Sequence, residues 1–237
     1  MTPGETTVEL VEQLINEGVE HVVLLMRHSA REFAPGKHDL LNPLTDEGRA
    51  LARDMGKRLP KELRVRGYSS PAERCVETAD LIMTAHKTAG GEITRIRVVE
   101  ALGVFYVLDQ MKMFMAMRDA GGLVSFLQRW FEGGVAQDIL MPADLAARLV
   151  GRVAKGKLDQ SGNKPQLDLL VSHDFTLYTI KDQLLKQDTH RYPDVHFLDG
   201  VAFFNRNGKP FIQSHHGPAI ELDVSLPEWG STKRGLD

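Results

Sequence analysis

The segment His21-Val-Val-Leu-Leu-Met26 restricts the fold more than any other stretch of the chain. Its residues are apolar at consecutive positions rather than alternate ones, and branched side chains dominate. A strand of that kind is buried on both faces, as in the centre of a parallel sheet covered by helices. It runs directly into Arg27-His28-Ser29-Ala30-Arg31. Polar groups therefore gather at the strand's C-terminal end, where open α/β sheets bind ligands.

The remaining chain alternates helical and extended patterns. Leu10 to Ile15 has helical spacing. Thr45 is a good N-cap, with Asp46 and Glu47 in the first turn behind it. Leu51, Met55 and Leu59 share one face of that helix, and Pro60 stops it. Arg64 to Ser69 reads as a short strand. Ser70 is then expected to cap a helix with Pro71 at its first position and an apolar stripe of Cys75, Val76, Ala79, Ile82 and Met83. Ile93 to Val99 reads as a third strand. Leu167 to Val171 is another apolar strand, leading into Ser172-His173-Asp174 and a helix marked by Leu177, Ile180 and Leu184. Gly200 to Phe204 and Pro210 to Ile212 flank Asn207-Gly208, the signature of a hairpin. Val104 to Ser161 is rich in Met and Ala, with paired glycines. Two or three helices are expected there, the last around Ala143 to Val153, forming a lid or side wall. The whole predicts a three-layer α/β/α sandwich, residues 1–237 as one domain, with a mostly parallel central sheet and a helical insertion at about 104–161.

Charge and cysteine content narrow the functions. The net charge is −3, which points away from nucleic acid or an anionic membrane as partner. Cys75 is the single cysteine, so an internal disulfide and a zinc knuckle are both excluded. The longest apolar run, Val22 to Met26, is far too short to span a bilayer. Met1 to Glu20 is acidic without an apolar core, so no signal peptide is expected, and the cytoplasm is the expected location. No histidine pair has a metal-ligand spacing such as His-Glu-x-x-His, and no metal or other cofactor is expected. The polar tail from Pro227 is expected to be loosely ordered, and the oligomeric state leaves no trace in the sequence.

Three clusters carry chemistry: Arg27-His28-x-x-Arg31, Ser70-Pro-x-x-Arg74 and Ser172-His173-Asp174. A parallel sheet would bring all of them to one edge. A phosphate monoester is a dianion at neutral pH, and arginine's planar fork binds its oxygens while staying charged. A neutral imidazole can attack phosphorus and hold it covalently. A second histidine can hydrogen-bond an equatorial oxygen, and a carboxylic acid can protonate the leaving alkoxide.

These motifs resemble those of the histidine phosphatase superfamily, the phosphoglycerate mutase-like fold. Its Arg-His-Gly signature appears here as Arg27-His28-Ser29, with Ser29 replacing the usual glycine. Its Leu-Thr-x-x-Gly helix start is matched by Leu44-Thr45-Asp46-Glu47-Gly48. Its Ser-x-x-x-Arg-x-x-x-Thr-Ala helix is matched by Ser70 to Ala79, and its second histidine by His173. The matches run in order from residue 22 to about 180. The resemblance implies that His28 is the phosphoryl-accepting nucleophile and that Arg27, Arg74 and His173 complete the phosphate pocket. For the general acid it leaves two candidates. Arg31 and Asp174 fit the acid phosphatase branch, in which an Asp after the second histidine is the acid, although Phe33 stands where that branch has proline. Glu100, three residues before Gly103, fits the mutase-like branch. Asp174 is narrowly preferred.

The implied activity is a metal-independent phosphomonoesterase working through phosphohistidine on a phosphorylated small molecule or phosphoprotein. A phosphomutase and a non-catalytic phosphate-binding member of the fold are the alternatives. Each residue also has a plainer reading. Arg74 would be a solvated arginine paired with Glu73 or Glu77, Arg31 an exposed loop charge, and His173 a buried histidine bonded to backbone. Asp174 would be a first-turn acid, Ser172 a helix cap, and Cys75, whose thiol pKa the neighbouring Arg74 would lower on the reactive reading, a packing residue. The other histidines are expected to be structural or exposed, with His38 a weak candidate for substrate contact. Met111 to Met117 is expected to pack in the core or to line an apolar part of the substrate pocket.

Overall fold

The computed structural model describes residues 2–33, 42–192 and 194–226. Its strands are β1 (His21–Arg27), β2 (Arg64–Ser69), β3 (Glu92–Ile93), β4 (Arg97–Val98), β5 (Gln166–Ser172), β6 (Gly200–Arg206), β7 (Lys209–Ser214) and β8 (Ile220–Glu221). Its helices are α1 (Glu5–Asn16), α2 (Asp46–Arg58), α3 (Glu73–Thr88), α4 (Gln110–Asp119), α5 (Leu123–Phe131), α6 (Ala143–Leu158) and α7 (Asp174–Gln183).

The strands form one sheet in the order β3-β2-β5-β1-β6-β7-β8, with β4 also on β2. The half from β3 to β1 is parallel, and β6 to β8 extend it antiparallel. Strand β1 is central and buried on both faces, as its unbroken apolar run requires. Its side chains alternate between two cores. Val22, Leu24 and Met26 pack with α1, α2 and α3, while Val23 and Leu25 pack with α5, α6 and α7. The result is a mixed α/β sandwich with a central, mostly parallel sheet.

Local chemistry sets the element ends. Thr45 Oγ1 accepts the Gly48 N–H at 2.9 Å and caps α2. Asn207 and Gly208 both have positive φ, 52° and 75°, and turn β6 into β7. At the opposite end of the sheet from the motifs, Asp168 of β5 is wholly buried and held by Arg66 and by His21 Nε2 at 3.1 Å.

Two expectations need correction. The strand expected over Ile93 to Val99 is two dipeptides, β3 and β4, that pair with β2 on either side of Thr94 to Ile96. Charged Arg95 and Arg97 lie on this outer edge, where short, charged strands are the rule. The helix expected to start at Pro71 starts at Glu73, with Ala72 at the cap position, so Ser70 does not cap it. The stretch 104–161 holds three helices, α4, α5 and α6. Its last helix, α6, buries Ala146, Ala147, Val150 and Ala154 against the sheet as part of the sandwich. Helix α5 adds Phe126, Leu127 and Trp130 to the same core, while α4 buries none of its residues.

Candidate active site

Strands β2, β5 and β1 are adjacent and parallel, and they end at the same level. In the register, Ser69 lies opposite Val171, and Arg27 opposite Ser172. The next residues along the three strands are Ser70, His173 and His28. The pairing continues one step beyond the strands: His28 N–H donates to the Ser172 carbonyl at 3.0 Å, and Ser70 N–H to the Val171 carbonyl at 2.9 Å. Sheet register alone thus sets the two imidazoles side by side, with ring centroids 5.7 Å apart at an interplanar angle of 73°.

Both rings are buried, and their tautomers follow from their partners. His28 Nδ1–H donates to the Ser29 carbonyl at 2.8 Å, leaving Nε2 as an acceptor. Arg74 Nε donates to that nitrogen at 3.0 Å. Arg74 Nη2 faces His173 Nδ1 at 3.4 Å, so His173 carries its proton on Nε2 and donates it to Ser70 Oγ at 2.8 Å. The arginine bridges the two histidines. Burial, and then the Arg74 charge, hold the His28 pKa well below 6.5, the Ser29 carbonyl opposing them only in part. His28 is therefore neutral, with a lone pair directed at the guanidinium.

Arg27 comes from the last position of β1. Its Nη1 donates to the Val195 carbonyl at 2.6 Å, its Nη2 pairs with Asp174 Oδ2 at 2.9 Å, and its guanidinium lies 4.1 Å from the Phe197 ring centroid. Its Nε is buried without a hydrogen-bond partner among the described residues. Asp174 opens α7, and its Oδ1 accepts the Phe175 N–H at 2.8 Å. Arg31, whose guanidinium stacks 4.0 Å from the Phe33 ring centroid, joins Arg74, His173 and Asp174 in lining a cavity of about 340 Å³.

The structure thus brings together His28, His173, Arg27, Arg74, Arg31 and Asp174. Glu100 starts a short 3-10 turn, Glu100–Leu102, and is not among the described residues that line the cavity. Glu77, the expected partner of a solvated Arg74, instead holds Arg49. Burial pushes the Cys75 thiol up to about 12, so this side chain is packing rather than reactive. Ser172 Oγ donates to the Leu102 carbonyl at 2.7 Å, which makes it a tie to the 3-10 turn, not a cap. Of the remaining histidines, His21 belongs to the Asp168 cluster and His86 Nε2 bonds the Leu63 carbonyl. His38 lies outside the described residues. Among those described, no three His, Cys, Asp or Glu side chains are grouped to hold a metal ion.

The motif positions have physical reasons. A Cβ on Gly48 would sit 2.0 Å from the Ala30 carbonyl oxygen, so α2 can approach the first motif only with glycine there. Thr78 Oγ1 donates to the Arg74 carbonyl and accepts the Ser29 N–H, tying α3 to the residue after His28. Ser29 has no positive φ, and its hydroxyl donates to the Gly48 carbonyl at 2.7 Å, so serine fits where the family has glycine. One contributor was not read from the sequence: Phe197 lies in a loop with no pattern to mark it. Ser70 was placed in the second cluster, but as a cap rather than as the partner of His173.

The comparisons agree with this geometry. The family profile described as histidine phosphatase superfamily (branch 1) matches residues 23–203. No curated protein matches the sequence. Among solved structures, a mutant phosphoserine phosphatase from Entamoeba histolytica in complex with phosphoserine is similar at 17% identity and TM-score 0.54, covering 82% of this chain and 95% of that one. A phosphoglycerate mutase from Bacillus anthracis is similar at 18% identity and TM-score 0.52, covering 84% and 94%. The alpha-ribazole phosphatase from Shigella flexneri is similar at 14% identity and TM-score 0.51, covering 87% and 98%. At these identities the structures speak for the fold alone, but the profile spans most of the chain: it belongs to the histidine phosphatase superfamily.

Proposed function

We propose that the chain is a metal-independent phosphomonoesterase that works through a phosphohistidine on His28. One observation carries the reading: a buried, neutral imidazole whose unprotonated Nε2 meets the Arg74 guanidinium beside a second histidine. A phosphoryl dianion placed there would accept hydrogen bonds from Arg74, His173 and Arg27. It would also satisfy the buried Arg27 Nε, a donor otherwise left at a cost.

In the first step His28 Nε2 forms a bond to phosphorus as the ester P–O bond breaks. Asp174 supplies the proton that the leaving oxygen takes up. In the second step water attacks phosphorus, the N–P bond breaks, and Asp174 takes up the water's proton. Its place on the cavity wall supports Asp174 over Glu100 for this role.

Labelled para-nitrophenyl phosphate, quenched in denaturant and alkali, should trap a phosphoprotein that acid destroys. His28→Ala should trap none, and a chelator should leave turnover unchanged. A fully active His28→Ala enzyme ends the proposal. Transfer of the label to an added alcohol or sugar acid in preference to water would favour a mutase instead.

A further inference from the structure

The cavity that opens from the proposed phosphate site has two unlike ends. Arg31, Arg74, His173 and Asp174 form one. The other is walled by Val104, Val107, Met113, Phe114, Met117 and Phe175, with Gln110 the one polar group the α4 side adds among the described lining residues. The floor is rigid. Phe175 is stacked on Tyr106 and on Trp130, at centroid distances of 5.6 and 5.4 Å, and the Tyr106 hydroxyl is fixed to Thr176 Oγ1 at 3.0 Å. The wall is adaptable, because methionines fill irregular space at little cost. Two of the six large apolar side chains exposed among the described residues, Phe33 and Phe114, line the cavity itself.

Resting on the phosphatase reading above, we infer that the substrate is a phosphomonoester of a compact, uncharged alkyl or aryl alcohol. The phosphoryl group occupies the arginine end and the ester oxygen lies beside Asp174. The carbon body then runs over Phe175 between Met113 and Met117. The volume, about 340 Å³, is at the small end of the range for small-molecule sites, roughly 300–1,000 Å³. Among the described residues no lysine or arginine on the α4 side lines the cavity, so a second carboxylate or phosphate on the far end of the substrate would lose its hydration without a partner there. Sugar phosphates would lose theirs in the same way.

Alkylphosphonates test this without turnover. Affinities of methyl-, butyl- and hexylphosphonate, measured by calorimetry, should rise about two- to fourfold per methylene. A terminal carboxylate of matched length should erase the gain. Met117→Gln and Phe114→Ser, both on a half-exposed face, should flatten the chain-length dependence. Binding of every phosphonate with equal affinity, or tighter binding of the carboxylate-tipped one, overturns the inference and leaves the phosphate site standing. Failure of all phosphonates, methylphosphonate included, overturns the phosphate reading and this inference with it. An apolar rim that serves another protein or a lipid surface would show itself as a flat series.

Discussion

The two ends of the cavity are built by opposite rules. At the phosphate end, His28, Arg74 and His173 are buried, and each is held by at least two directed hydrogen bonds or by the strand register itself. At the apolar end, α4 buries none of its residues, and its Met and Phe side chains rest partly in solvent. The first region is specified by geometry, to fractions of an ångström, because transition-state charge must meet preorganised donors. The second is specified by little more than hydrophobicity and volume. Substitutions should therefore act on chemistry in one region and on selectivity in the other, and the predictions below measure that division.

The largest effect is expected at the nucleophile. His28→Ala should lower kcat/KM by ~10⁴-fold or more, since the proposed mechanism has no other group to accept the phosphoryl. Arg74→Met should follow, at about 10²- to 10³-fold, the usual loss for one preorganised donor to transition-state charge. It also removes the bridge between the two rings, so His28 and His173 should lose their fixed tautomers, readable as broadened imidazole nitrogen resonances. If Phe114→Ser were to lower kcat on para-nitrophenyl phosphate as much as Arg74→Met does, the division between the two ends would be false.

Asp174→Asn separates the proton from the phosphoryl transfer. Alkyl esters, whose leaving oxygen needs a proton, should slow by about 10²-fold or more, while aryl phosphates should slow far less. Glu100→Gln run beside it should show no such leaving-group dependence. The reverse result would move the acid to the 3-10 turn and require that turn to reach the ester oxygen.

A smaller effect concerns pH. Burial lowers the His28 pKa below the ordinary 6.5, because it disfavours the charged form. As pH falls through 6.5, an unfolded chain takes up a proton at this residue before the folded one does. The folded state therefore loses stability from this group between pH 6.5 and the lower folded pKa, with the nucleophile neutral throughout. Nitrogen shifts of His28 should stay those of a neutral imidazole at pH 6.5. A ring half protonated at that pH would show that the site is wetter than its geometry.

The same division explains what the sequence disclosed. The central strand, the Thr45 cap, the Gly48 approach and the hairpin at Asn207-Gly208 are local or near-local demands, written in a few adjacent residues. The three clusters were legible because each directly follows a parallel strand, so register brings them together. The role of Ser70 was not. A serine before proline satisfies the capping pattern, and only the position of β5 beside β2 turns its hydroxyl to His173. Phe197 and the Val195 carbonyl, which fix Arg27, come from a loop about 170 residues further along the chain and follow no period. Residues 104–161 looked uniform in composition, yet α6 is sandwich and α4 is wall. What distinguishes them is the alanine stripe of α6, small enough to lie flat on the sheet, against the bulky methionines of α4.

The smallest expected effect is the one that tests the wall by itself. Phe114 is 38% exposed on a helix without a buried residue, so Phe114→Ser removes few contacts and leaves no closed cavity. Its cost in unfolding free energy should be less than ~1 kcal/mol, as for surface substitutions generally. Phe126 on the neighbouring α5 is fully buried and packs near Phe175, with centroids 6.4 Å apart. Phe126→Ala should cost about 3 to 5 kcal/mol, because the aromatic core cannot close over the space left. Denaturant unfolding of the two variants should therefore differ by several-fold in the shift of ΔG. Equal shifts would mean that α4 is held by more than its apolar edge, and the wall would then be part of the core instead of a surface free to follow its ligand.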